Sequence, residues 1–173
     1  MKKSLLLIVC SILINGIFAQ TNIQITNAEA EQVILGNFNP VDYQATNILN
    51  HPNDIIQGVM ENVSAENMKN YLIELSSFNN RNTGSDTLSE TKGIGAARRW
   101  MHAKFESFSA TSENRLIPFY LQFDQSICDM GQHRNVCAVL PGLDVNDHSV
   151  IFIEAHMDSR CADPCDIDCD AHG

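Results

Sequence analysis

The sequence is poor in positive charge: 11 lysine and arginine residues stand against 21 aspartates and glutamates among 173 residues. A net charge of −10 argues against a nucleic-acid-binding protein, because contacts to phosphate require clustered cations. The same deficit leaves no basic face that would hold the chain on an anionic membrane. The sequence also has no internal repeats or low-complexity tracts. Hydrophobic residues at 44% and charged residues at 18% indicate an ordinary globular protein.

The N-terminal region lacks an apolar run long enough to remain as a membrane-spanning helix. Residues 1–3 are a methionine and two lysines, and an interrupted apolar stretch covers residues 5–18. Because the small residue Ala19 comes next, residues 1–19 are typical of a secretory signal peptide. We predict a secreted or periplasmic protein with no membrane attachment once the signal peptide is removed. A retained N-terminal anchor is the alternative interpretation.

Export decides the state of the cysteines, because thiols outside the cytoplasm are usually oxidised. Five cysteines follow the signal peptide, so at least one has no partner within this chain. The five are Cys128, Cys137, Cys161, Cys165 and Cys169. The last three and His172 would offer four zinc ligands, but their spacing is not a common zinc-finger spacing. We expect instead a disulfide inside this loop, with a further bridge to Cys128 or Cys137 as an option.

Acidic residues alternate with the last cysteines, at Asp163, Asp166, Asp168 and Asp170. They invite interpretation as a calcium site, but they lack the ligand order, the glycine and the final glutamate of an EF-hand loop. We interpret them mainly as a solvated loop. Ser159, just before this loop, has no Gly-x-Ser-x-Gly frame and is therefore not a recognisable nucleophile.

Apolar spacing predicts helices first and strands later in the chain. A short helix is expected over residues 28–35, and another begins at the capping residue Ser64. Ser89 is expected to cap a third helix. We attribute Gly93 and Gly95 at its start to close packing and not to a nucleotide-binding fingerprint, because no strand precedes them. The predicted strands are residues 115–123, 135–140 and 150–155.

The last predicted strand is almost continuously apolar, which fits a strand buried on both faces between layers of helices. His156 and Asp158 follow it, where the ligands of open α/β sheets bind. Residues two apart in an extended chain project to the same side, so Asp158 is placed to orient the ring of His156. A strand-end histidine bonded to a neighbour is the alternative, because two residues do not make a metal site.

Several short segments, in this order, resemble the zinc peptidases of the M28 family, the co-catalytic aminopeptidases. They are residues 71–78, 81–85 (RNTGS), 93–100, 135–142 and the final motif His156-x-Asp158-Ser159. In that family the histidine of the final motif binds one of two zinc ions, and the aspartate orients it within the active site. The resemblance implies that His156 is a metal ligand, that Asp158 is the catalytic-site acid and that the complete enzyme carries two zinc ions. It also implies a three-layer α/β fold with a mixed, mostly parallel sheet between helices.

The sequence departs from the family pattern after residues 171–173, which resemble the segment before a metal-bridging aspartate. That aspartate, the catalytic glutamate and the other ligands have no counterpart here, and Asp166, Asp168 and Asp170 do not match their positions. We therefore expect residues 20–63 to be an N-terminal arm. Residues 64–173 are expected to be the N-terminal part of a peptidase domain, incomplete at its C-terminus and inactive alone.

The expected activity of the complete protein is zinc-dependent hydrolysis of a peptide or protein substrate, in the manner of an aminopeptidase. A carboxypeptidase or a glutaminyl cyclase is compatible with the same fold. A non-catalytic secreted binding module pinned by disulfides is the alternative from a different functional class.

Overall fold

The computed structural model describes residues 22–144 and 146–172. Its elements in chain order are β1 (Gln24–Ile25), α1 (Ala28–Ile34), a 3-10 turn (Pro40–Tyr43), α2 (Pro52–Asn62), α3 (Ala65–Ser77), α4 (Gly93–Thr111), β2 (Ile117–Ile127) and β3 (Met130–Val139). The signal peptide predicted over residues 1–19 lies outside the described residues. Within the described ranges, no helix has both the length and the apolar character needed to cross a membrane.

The sheet of the described residues has three antiparallel strands in the order β1-β2-β3. Strands β2 and β3 form a hairpin in which Phe119 lies opposite Cys137. Cys128 and Asp129 make the turn with φ values of 50° and 61°, and a two-residue turn with two positive φ values matches the twist of paired strands. The strands predicted over residues 115–123 and 135–140 are confirmed, and both extend toward the turn.

The apolar core lies where α1 packs on this sheet. Its buried residues are Ala30, Val33, Ile117 and Phe119. Helix α1 begins at the predicted position because the Asn27 side chain accepts hydrogen bonds from the backbone of Glu29 and Ala30 at 2.9 and 3.2 Å. The same side chain donates to the carbonyl of Pro118 in β2 at 3.1 Å. A single capping residue therefore starts the helix and ties it to the sheet.

Helix α3 begins as predicted, because Ser64 Oγ accepts a hydrogen bond from the backbone of Asn67 at 3.2 Å. Its apolar face contacts the rest of the fold through aromatic rings. Tyr71 and Phe78 pack edge-on against Trp100 of α4, with ring centroids 6.1 and 6.2 Å apart. Part of the helix stays outside the core, since three of its apolar residues are more than half exposed. These residues are Met68, Leu72 and Ile73.

Helix α4 begins at Gly93, and the prediction that Ser89 caps it is wrong. Gly93 has a φ of +76° and donates its N–H to the carbonyl of Phe78 at 2.8 Å, which starts the helix after Ser89. The packing role of the glycines is confirmed. A Cβ on Gly95 would lie 2.2 Å from the carbonyl oxygen of Thr87, so only glycine allows these two backbones to approach.

Residues 150–155 do not form the buried strand that their apolar sequence predicts. The side chains of Val150, Ile151, Phe152 and Ile153 are 75–94% exposed. A strand needs a hydrogen-bonded neighbour, and the described residues place none beside this segment, because their sheet ends at β3. The sheet that is present is antiparallel. The mostly parallel three-layer sheet remains a prediction.

Candidate functional site

His156 and Asp158 are in direct contact, as their spacing in the sequence predicts. His156 Nδ1 lies 3.0 Å from Asp158 Oδ1. An ionised carboxylate accepts hydrogen bonds, so this contact places the ring proton on Nδ1 and leaves the lone pair on Nε2. The His156 side chain is 95% exposed and the Asp158 side chain 35% exposed, so Nε2 is accessible to a ligand. This is the arrangement in which a carboxylate orients a metal-binding histidine.

The backbone around this pair has no helix or strand and is held by its neighbours. Ser159 is 8% exposed, and its hydroxyl donates to the carbonyl of Ala171 at 2.5 Å. The same hydroxyl accepts a hydrogen bond from the backbone N–H of Arg81 at 3.0 Å. Ser159 is therefore a buried anchor next to Asp158, which agrees with the absence of a nucleophile motif around it.

Residues 79–85, which follow α3, form the base on which this segment rests. Asn79 adopts a left-handed conformation with a φ of 58°, which ends the helix and turns the chain. Asn80 Oδ1 then accepts from the backbone of Asn82 at 2.8 Å, and Asn82 Oδ1 accepts from Gly84 at 2.8 Å. In such turns the side-chain oxygen satisfies the backbone locally, and the side-chain NH2 group is left to bind elsewhere. The NH2 group of Asn80 donates a hydrogen bond to the carbonyl of Cys169 at 3.1 Å.

Two disulfides close the loop that follows the His156–Asp158 pair. Cys161 bonds to Cys169 within the loop, and Cys165 bonds to Cys128 in the hairpin turn. The expected bridge inside the loop is confirmed, and of the two options for the second bridge the structure shows Cys128. Cys137 is free and half-buried, and burial raises the pKa of its thiol. The zinc site considered at Cys161, Cys165 and Cys169 is therefore wrong, because thiols in disulfides cannot bind metal as thiolates.

Two of the acidic side chains of this loop, those of Asp163 and Asp166, bind the backbone of the loop itself. Asp163 Oδ1 accepts from the N–H of Cys165 at 2.9 Å, and Asp166 Oδ1 accepts from those of Asp168 and Cys169 at 3.0 Å. Over residues 22–144 and 146–172, no three histidine, cysteine, aspartate or glutamate side chains come together as a metal site would require. Zinc sites use three or four protein ligands. The described residues therefore supply one well-oriented candidate ligand, His156, and do not by themselves hold a zinc ion.

The sequence predicts a histidine and an aspartate as site residues and assigns no role to the side chains of the loop at residues 79–85. Four of its side chains are buried at 2–8% exposure. They are Asn80, Arg81, Asn82 and Ser85. An arginine between two asparagines indicates a segment rich in donors that can satisfy backbone carbonyls. The sequence does not indicate which carbonyls, because those of Met157, Cys169 and His172 lie 76–91 residues further along the chain.

The chain is similar to fungal proteins named probable zinc metalloproteases. It is 32% identical over 126 residues to one from Leptosphaeria maculans, which covers 70% of this chain and 29% of that protein. It is 30% identical over 128 residues to one from Pyrenophora teres f. teres, covering 70% of this chain and 27% of the relative. The chain thus spans less than a third of the length of these relatives. No protein-family model matches the sequence, and no solved structure matches it.

Proposed function

We propose that this chain forms part of an exported zinc-dependent peptidase of the M28 type, and that His156 is one of its zinc ligands. The observation that carries the proposal is the contact of 3.0 Å between His156 Nδ1 and Asp158 Oδ1, with the rest of the ring open to solvent. The similarity to probable zinc metalloproteases supports zinc as the metal and peptides or proteins as the substrate. The zinc would supply an activated water for attack on a peptide carbonyl.

The chain's own contribution to this chemistry is orientation. Asp158 fixes the tautomer and the direction of the His156 ring and leaves Nε2 free, so that this nitrogen would be available to hold the metal. The other ligands, including those of a second zinc ion, would come from outside the described residues. This fits the length of the Leptosphaeria maculans and Pyrenophora teres relatives, of which the present chain covers 29% and 27%. Aminopeptidase activity is the finer proposal, and it rests on the motif resemblance.

The apolar segment after β3 supports the proposed three-layer fold. Val150, Ile151, Phe152 and Ile153 are four consecutive apolar residues with side chains at least 75% exposed. Burying a side chain of this size is worth about 1.5–3 kcal/mol, so the segment gains several kcal/mol by entering a sheet. We propose that it is a central strand of the mixed sheet and that the His156–Asp158 pair stands at its carboxyl end. Two disulfides in turn support export, because such bonds persist in oxidising compartments.

A non-catalytic secreted binding module is the second candidate. It is favoured by the two disulfides around residues 159–172 and by the single candidate ligand among the described residues. The two candidates differ in one property. A peptidase turns over substrate with a metal, whereas a binding module has no use for the orientation that Asp158 imposes on His156.

The test is hydrolysis by the natural exported protein, loaded with zinc, of two matched peptide amides. One has a free N-terminal amino group, and the other has the same group acetylated. We expect cleavage of the free substrate only, loss of cleavage with a chelator and recovery with zinc. Cleavage of the acetylated substrate would contradict the aminopeptidase assignment, and no turnover of either would favour the binding module.

The matched variants for this assay are His156→Ala and His148→Ala. His148 is an exposed histidine in the loop between β3 and the His156–Asp158 pair, so it controls for the loss of a surface imidazole. The first variant is expected to lose zinc-dependent cleavage, and the second to retain it. Equal activity of the two variants would show that His156 takes no part in the reaction.

A further inference from the structure

Arg81 is buried at 5% exposure although its side chain carries a charge. Its Nε donates to the carbonyl of Met157 at 3.0 Å, and its Nη1 donates to the carbonyls of Leu75 and His172, each at 2.7 Å. The same Nη1 lies 3.3 Å from the carbonyl of Asn79. These acceptors belong to the end of α3, to the segment between His156 and Asp158, and to the C-terminal part of the cysteine loop. One guanidinium therefore joins three parts of the chain.

The backbone of Arg81 makes a second connection to the same place. Its N–H donates to Ser159 Oγ at 3.0 Å, and its carbonyl accepts from the N–H of Ser159 at 3.4 Å. Met157 and Ser159 are the two neighbours of Asp158. The side chain of Arg81 thus holds the residue before Asp158, and its backbone holds the residue after it.

The charges of this region agree with that arrangement. Removal from water lowers the pKa of the Arg81 guanidinium, and the negative charge of Asp158 opposes this effect. An arginine remains protonated under ordinary conditions even with a lowered pKa. The buried cation therefore lies close enough to Asp158 for the two opposite charges to attract each other.

We propose that Arg81 is a positioning residue of the metal site: it fixes the peptide that joins His156 to Asp158 and so keeps the 3.0 Å contact between their side chains. This inference rests on the proposed function. It adds that the loop at residues 79–85 acts on the reaction through the direction of His156, without touching substrate or metal. Arginine is suited to this role because its planar fork serves several carbonyls at once, which the ammonium of a lysine does with poorer geometry.

The experiment compares Arg81→Met, Arg81→Lys and the control Arg160→Met in the full-length natural protein. Arg160 is an exposed arginine in the same segment, so its variant removes a nearby positive charge without disturbing buried contacts. Amide hydrogen exchange at Arg81 and Ser159 is measured in the metal-free protein, and kcat and KM in the zinc-loaded protein. Loss of hydrogen bonds from a buried charge is expected to speed exchange at both amides about 10- to 100-fold in Arg81→Met.

In the zinc-loaded protein, kcat of Arg81→Met is expected to fall about 10- to 100-fold with KM changed less than about twofold, because binding groups are untouched. Arg81→Lys is expected to restore part of the exchange protection and part of the kcat. This variant carries the test if Arg81→Met does not fold. Unchanged exchange in both Arg81 variants, or a kcat equal to that of Arg160→Met, would overturn the positioning role. Faster exchange in a protein whose wild type shows no zinc-dependent hydrolysis would instead refute the proposed function.

Discussion

The disulfide between Cys128 and Cys165 is expected to stabilise the protein more than the one between Cys161 and Cys169. The two bonds differ in the length of chain they close, with sequence separations of 37 and 8 residues. In the chain-entropy description the stabilisation grows with the logarithm of that length. It comes to about 4 kcal/mol for the longer loop and about 2.5 kcal/mol for the shorter one, a difference of about 1.4 kcal/mol.

The assay is urea unfolding at equilibrium of two double variants under oxidising conditions. One variant carries Cys128→Ser and Cys165→Ser, and the other carries Cys161→Ser and Cys169→Ser. Intact mass before and after alkylation confirms that the remaining bridge is formed in each. The free energy of unfolding of the first variant is expected to be lower, by about 1.4 kcal/mol, because its unfolded chain regains the larger freedom.

Equal losses, or a larger loss from the shorter bridge, would refute this reasoning. Such a result would mean that the packing of residues 159–172 on the loop at residues 79–85 determines the stability. Chain closure would then be secondary. The hydrogen bond from Asn80 to the carbonyl of Cys169 would be the first contact to examine in that case.

Two further perturbations test other parts of the fold. In urea unfolding, Gly95→Ala is expected to lower the free energy of unfolding by about 1–3 kcal/mol, because its Cβ would lie 2.2 Å from the Thr87 carbonyl. The control is Gly131→Ala, whose Cβ would meet nothing within 4 Å. This control should change the free energy of unfolding by less than about 0.5 kcal/mol. The hydrogen bond that Tyr43 donates to Glu29 raises the pKa of the Tyr43 hydroxyl to about 12. The contribution of this hydrogen bond to stability is therefore present below about pH 10 and lost as the pH rises toward 12. Alkaline absorbance titration of the Glu29→Gln variant should show that the pKa of Tyr43 has fallen back toward about 10.

Local signals predicted those elements whose causes are local. Asn27 caps α1 and Ser64 caps α3 through bonds to residues two or three positions away, so both helix starts can be deduced from the sequence. Helix α2 was not predicted, because Pro52 at its first position is a turn signal as well as a helix start. The start of α4 also depends on a distant partner, since Gly93 binds the end of α3.

In the candidate site, too, the local contacts are predictable from the sequence and the distant ones are not. The contact between His156 and Asp158 follows from their spacing of two residues, and the structure shows it. The support from Arg81 could not be predicted, because its acceptors Met157 and His172 lie 76 and 91 residues away. The exposure of residues 150–153 was likewise not predictable from their apolar sequence, because burial requires neighbouring strands that the described sheet does not provide.

The role of Asp158 can be separated from that of His156 by metal affinity. Asp158→Asn keeps the shape of the side chain but removes the charge that orients the ring. Loss of such a partner typically weakens metal binding about 10- to 100-fold, and we expect competition with a chelator to show a decrease of this size. Zinc affinity equal to that of the wild type would mean that Asp158 does not orient a metal ligand.

The most direct measurement is the zinc content of the natural full-length protein and of its His156→Ala and His148→Ala variants, determined by elemental analysis after dialysis. If the exposed Nε2 of His156 binds zinc, His156→Ala should lose metal while His148→Ala retains the wild-type amount. Full zinc content in His156→Ala would contradict the assignment of His156 as a ligand. It would leave the His156–Asp158 contact as an ordinary surface hydrogen bond.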